Sequence, residues 1–158
     1  MLLFRIICGI LMAWAVNFVL SRPEAQALLS EVPEFATIGP IAAAIVGIVN
    51  LATRQGWGVV VAVANGVWAG VLSILMSGVL YIGFIAGVGV MQGSIRNFQL
   101  FLRVTGDETA KLFDLVADVP LLVLTITATA ILGVFSEVLH WTLVRIRKNK
   151  QDPSENMF

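Results

Sequence analysis

The chain has 158 residues, of which 58% are hydrophobic and 13% charged, and its formal net charge is zero. A soluble domain carries about 25% charged residues, so this chain has too little polar side chain to cover a water-exposed surface, and disorder would need the opposite composition. Net neutrality leaves no electrostatic footprint for nucleic acid.

In chain order, Leu2 to Leu20 is apolar apart from Arg5 and Asn17. Ala25-Gln26-Ala27 has the small-x-small form of a cleavage site. The apolar run, however, is longer than the roughly 7–15 residues of a signal peptide core, and Ser21 to Glu24 distance it from that site. The run therefore reads as a retained first span, at about 3–20. Two prolines and three glutamates make the following segment, to Phe35, a solvated loop. A second span is expected at about 36–53, with Pro40 in its first turn, where a missing N–H costs little.

Arg54-Gln55-Gly56 is so short a link that the next helix must return antiparallel. From Trp57 to Met91 there is no charge. A single straight helix of that length would be about 52 Å long, against a hydrocarbon core of about 30 Å. Glycines gather late in the run, at 83, 87, 89 and 93. Beyond them Gln92, Arg96, Gln99 and Arg103 repeat at helical spacing, and Met91, Ile95, Phe98 and Leu102 repeat one position earlier. The expectation is a third span at about 57–82 that bends at the glycines into an interfacial helix at about 90–104. A fifth span made from Leu80 to Val90 is the competing count.

Thr105 and Glu108 fit a capping box after that helix, and Asp118, two residues before Pro120, fits an N-cap for the last span. That fourth span is expected at about 121–144, stopped by Arg145, Arg147 and Lys148. The fold class is thus an all-α integral membrane protein, with four transmembrane helices and an interfacial amphipathic helix between the third and fourth. Residues 1–148 form a single helical domain and 149–158 a polar tail. Basic residues near the ends and at Arg54 place both termini in the cytoplasm by the positive-inside rule.

Small residues draw one stripe on the third span, Gly66, Gly70, Ser73 and Ser77, and another on the fourth, Thr125, Thr129 and Gly133. Such stripes let backbones approach closely in lipid. They pack either on one another or on another membrane protein. Arg5, Asn50, Asn65, Glu137 and His140 fall at similar depths on four helices. In the structural reading Glu137 pairs with Arg5 or accepts from Asn65 and pins the register. In the functional reading the cluster relays a proton or ion, or binds a headgroup. Trp57 and Trp141 read as interfacial anchors, and Trp14 and Trp68 as packing residues.

One cysteine, Cys8, and one histidine, His140, exclude an internal disulfide, a CxxC pair and a zinc cluster. No phosphate loop, HExxH or GxSxG motif is present. The expectation is a non-enzyme without cofactor or metal.

Asn65-Gly66, Gly70, Arg96-Asn97, and then Gly133, Glu137, Trp141 and Arg145 resemble, in order and spacing, the small tellurite-resistance membrane protein family (TrgA-type). The likeness runs from about Ile38 to Arg147, and the chain departs from the family pattern around Gly106 to Ala117. The resemblance implies a bacterial inner-membrane protein associated with tellurite tolerance, with no catalytic mechanism or ligand attached. Two other readings stay open. One is an accessory subunit of a larger respiratory or photosynthetic membrane complex. The other is a small transporter or channel. The lipid bilayer is the partner common to all three.

Overall fold

The computed structural model describes residues 2–151, with side chains through residue 148. Its elements are α1 (Leu2–Leu20), α2 (Pro23–Leu29), α3 (Phe35–Val49), a 3-10 turn (Leu51–Thr53), α4 (Val59–Met91), α5 (Phe98–Ala117) and α6 (Val119–Gln151). Four of the helices, α1, α3 with its 3-10 turn, α4 and α6, are long and apolar enough to cross a membrane. The chain is an all-α membrane protein.

The four long helices close into a ring of contacts: α1 on α3, α3 on α4, α4 on α6, and α6 back on α1. Within lipid such packing depends on close backbone approach, because lipid tails are as apolar as the helices themselves. Two seams provide it. On the first, a methyl at Gly47 would meet the Cys8 carbonyl at 2.6 Å and the Gly9 Cα at 2.9 Å, so α1 and α3 touch backbone to backbone. On the second, Gly66 faces the Thr129 carbonyl, and Gly133 faces the Ala62 carbonyl and the Gly66 Cα. The small-residue stripes of α4 and α6 thus meet each other. The first seam follows a pattern that the sequence reading passed over, with Gly39, Ala43 and Gly47 four apart on α3.

Large apolar side chains on the outer faces point away from the bundle, Val60, Leu75 and Ile131 among them. Trp14 and Trp68, expected to pack inside, are 63% and 49% exposed and belong to that outer surface. The apolar part of an indole gains little from burial in the bundle, since the surrounding lipid is itself apolar. Pro40 lies in the second turn of α3 rather than the first, because the helix already starts at Phe35.

The third span and the interfacial helix differ from expectation. α4 is not interrupted at Gly83, Gly87 or Gly89 but continues as helix for 33 residues to Met91, about 50 Å at 1.5 Å per residue. The amphipathic helix is then not at 90–104. A turn occupies the middle of that range, with Gly93 at φ +69° and the Ser94 and Ile95 N–H groups both donating to the Gly89 carbonyl. The helix restarts at Asn97, whose side-chain oxygen accepts the Leu100 N–H at 2.8 Å. Asparagine is among the strongest N-caps, and it takes the role expected of Thr105. Thr105 instead sits inside α5, its hydroxyl donating to the Phe101 carbonyl. Of the repeating residues expected to form one helix across 91–103, Phe98, Gln99, Leu102 and Arg103 lie in α5, whereas Gln92, Ile95 and Arg96 fall in the turn.

α5 folds back toward the bundle. Leu112 and Leu115 enter a core with Val19, Leu20, Leu29, Phe35, Tyr81 and Leu121, so α5 and α2 together cap this end. Phe98, Leu102 and Phe113 line an adjoining exposed face, with Arg103, Asp107 and Asp114 on the opposite side, an arrangement suited to a membrane interface. Asp118 ends α5 and caps α6, accepting the Leu121 N–H at 3.0 Å.

Candidate functional site

The polar residues gather at the two ends of the bundle. At the end where α1 begins and α6 finishes, the short link between α3 and α4 carries Gly56 and Gly58, both at φ +97°. Side chains other than glycine rarely adopt that conformation, so two glycines within three residues let this link turn tightly. The turn leaves backbone N–H groups aimed at α6. Glu137, only 1% exposed, receives them: its two carboxylate oxygens accept the Gly56 N–H at 2.7 Å and the Gly58 N–H at 3.0 Å.

Neighbouring side chains complete the lock. Gln55 donates to the Leu51 carbonyl at 2.8 Å and to the Ser136 hydroxyl at 2.7 Å. Ser136 in turn donates to the Gly133 carbonyl. Asn65 reaches back to donate to the Arg54 carbonyl at 2.8 Å. A link of about five residues is thus held from α4 by Asn65 and from α6 by Ser136 and Glu137. Charge-assisted hydrogen bonds to backbone N–H are the strong ones, and they replace the water that this buried carboxylate has given up.

Of the five residues expected to form one polar cluster, the four besides Glu137 all stand apart from its hydrogen bonds. No Arg5–Glu137 ion pair forms among the described residues. Asn65 bonds to the loop and not to Glu137. Asn50 ends α3, and its buried amide nitrogen has no partner among the described residues. His140, one turn beyond Glu137, packs edge-on against Phe4 with ring centroids 5.6 Å apart and lies beside Gly56. The specific expectation for Glu137, a pairing with Arg5 or Asn65, is corrected: its partners are backbone groups of a loop. Sequence reasoning missed Gln55, Gly56, Gly58 and Ser136. The available signal was the Gln55-Gly56-Trp57-Gly58 run itself, since paired glycines in a tight link imply unusual backbone and N–H groups in need of an acceptor.

Within the bundle, hydroxyls turn onto their own helices. Ser73 donates to the Ala69 carbonyl and Ser77 to the Ser73 carbonyl, while Thr125 donates to that of Leu121 and Thr129 to that of Thr125. Thr129 also fills the space over Gly70. These groups are satisfied locally and present no continuous polar line through the middle of the bundle.

At the other end Tyr81 is buried, and its hydroxyl donates to Glu108 at 2.8 Å. Lys111 donates to the second oxygen of Glu108 at 2.6 Å. Burial works against the charged form of Glu108, but the hydrogen bonds from Lys111 and Tyr81 outweigh it and hold the carboxyl below its ordinary value. The same bond to Glu108 lifts Lys111 above its ordinary value despite slight burial. This trio fastens α5 to α4. Among the described residues, no group of three His, Cys, Asp or Glu side chains comes together.

Compared with known proteins, the chain matches no family model, no curated protein and no solved structure.

Proposed function

We propose that this protein acts without catalysis, as a bacterial inner-membrane helical bundle that supports tellurite tolerance through the physiology of the membrane. The supporting observation is the state of Glu137. Glu137, the one buried carboxylate among the described residues, accepts a loop N–H on each of its two oxygens, which fits a fastening. The resemblance of the motif residues carries the link to tellurite, and the positive-inside rule places both termini in the cytoplasm.

Killing curves in tellurite, on a deletion strain complemented in trans, test this reading. Wild type restores tolerance, and Glu137→Gln restores it in proportion to the folded protein that accumulates. A deletion strain as tolerant as its parent would remove the physiological assignment. Full accumulation of Glu137→Gln with complete loss of tolerance would turn Glu137 into a working residue.

A second reading, a subunit of a larger membrane complex, draws on the last turns of α4. There a methyl at Gly83 or Gly87 would meet open space, while Phe84, Val90 and Met91 are exposed. Native purification in mild detergent separates the two readings: stoichiometric co-migration with one complex favours the subunit, and migration alone the autonomous protein.

A further inference from the structure

Outside the Glu137 lock, at the same end of the bundle, a cleft of about 390 Å³ opens between the start of α1, the 3-10 turn and the last turns of α6. Two guanidinium groups line it from different helices, Arg5 on α1 and Arg147 on α6, and His140 joins them. Among the described residues no carboxylate lines it and neither arginine has an ion-pair partner. The remaining wall is largely apolar, with Leu3, Phe4 and Leu143. Two arginines on the wall of one cleft give it a positive potential, which favours an anion there. The apolar wall beside them selects an anion with an attached hydrocarbon part over a free ion, because a free ion gains nothing from apolar surface.

We infer that this cleft binds the phosphate of an anionic phospholipid, with the headgroup between Arg5 and Arg147 and the upper part of the acyl chains along Phe4 and Leu143. Basic pockets between transmembrane helices at a membrane face are suited to that chemistry, because guanidinium groups match phosphate oxygens two at a time. The site shares Gln55 with the Glu137 lock but draws its charge from Arg5 and Arg147, which take no part in that lock, so its test is independent of the proposed physiology.

Titration of the purified full-length chain in neutral detergent, followed by native mass spectrometry and thermal shift, tests the site with three probes. These are dihexanoyl phosphatidylglycerol, dihexanoyl phosphatidylcholine and inorganic phosphate. The expected result is about tenfold tighter binding of the glycerol lipid than of the choline lipid. Arg5→Gln with Arg147→Gln erases that preference, and each single variant loses part of it. Arg145→Gln with Lys148→Gln, outside the cleft, keeps it. The proposal is overturned by equal binding of the two lipids, by a preference that survives loss of both cleft arginines, or by an equal loss in the control pair. Inorganic phosphate competing as well as the glycerol lipid would also overturn it, by showing a free-oxyanion pocket.

Discussion

The two ends of this bundle each hold one buried or half-buried glutamate, and they hold it in different ways. Glu137 is met by backbone N–H groups from a loop some eighty positions away in the chain. Glu108 is met by Lys111, three residues on along its own helix, and by the hydroxyl of Tyr81 on the neighbouring helix. The first arrangement has a buried carboxylate and, among the described residues, no cation. The second is a charge pair with its lysine half exposed. A buried carboxylate with fixed dipoles is costly to disturb, because its removal takes the acceptor from two loop N–H groups at once. A solvated pair is cheap to disturb, because water and salt already screen it.

The largest expected effect tests the Glu137 end. Glu137→Ala leaves the Gly56 and Gly58 N–H groups without an acceptor and lowers stability by about 3 kcal/mol, read as a drop in the thermal midpoint of the detergent-purified protein. An unchanged midpoint would mean that the loop finds other acceptors, and the contrast between the ends would collapse. Next comes the α4–α6 seam. Gly66→Val drives a side chain into the Thr129 carbonyl and costs about 2 kcal/mol through forced separation of the helices. Gly83→Ala, where a methyl meets open space, should leave stability unchanged or raise it by about 0.5 kcal/mol, as glycine is a poor helix former.

At the solvated end Tyr81→Phe removes one hydrogen bond to Glu108 and costs about 1 kcal/mol. Hydrogen exchange should speed up in α5 and leave the Arg54–Gly58 link protected. The effect of pH is small. Glu108 sits below its ordinary value of 4.5, so its contribution is present above that pH and is lost as the pH falls through the lowered value. Lys111 sits above its ordinary 10.5, so its contribution is present below that pH and is lost as the pH rises through the raised value. A stability profile flat between those limits, with a shallow acid loss that Glu108→Gln abolishes, is the expected record. Because Lys111 is 40% exposed, solvent screening keeps the amplitude under about 1 kcal/mol.

Much of the fold was legible before any coordinates. Spans show as apolar runs because the bilayer demands about 20 such residues with every backbone group bonded inside the helix. The break after Arg54, the cap at Asp118 and the small-residue stripes on α4 and α6 follow from residue type and spacing, whereas α6 runs past the stop expected at Arg145 to Gln151. Where expectation failed, local signals competed. Glycines at 83, 87 and 89 look like a bend in a soluble helix, yet α4 continues through them, and the break came instead at Gly93 and Asn97. Glu137 stood out in the sequence as an ionisable residue among apolar neighbours, but its partners did not, because backbone N–H groups have no letter of their own.

The sequence by itself determined that this chain is helical, that it belongs in lipid, and which few polar residues had to be accounted for, since hydropathy and helical period act along the chain. Only the tertiary structure decided what those residues do. It paired Glu137 with the link at Gly56 and Gly58, set Tyr81 against Glu108, and brought Arg5 and Arg147 to one cleft. Each of these contacts joins segments far apart in the chain, and their distance is fixed by how the helices pack, through close glycine seams whose register no single helix contains.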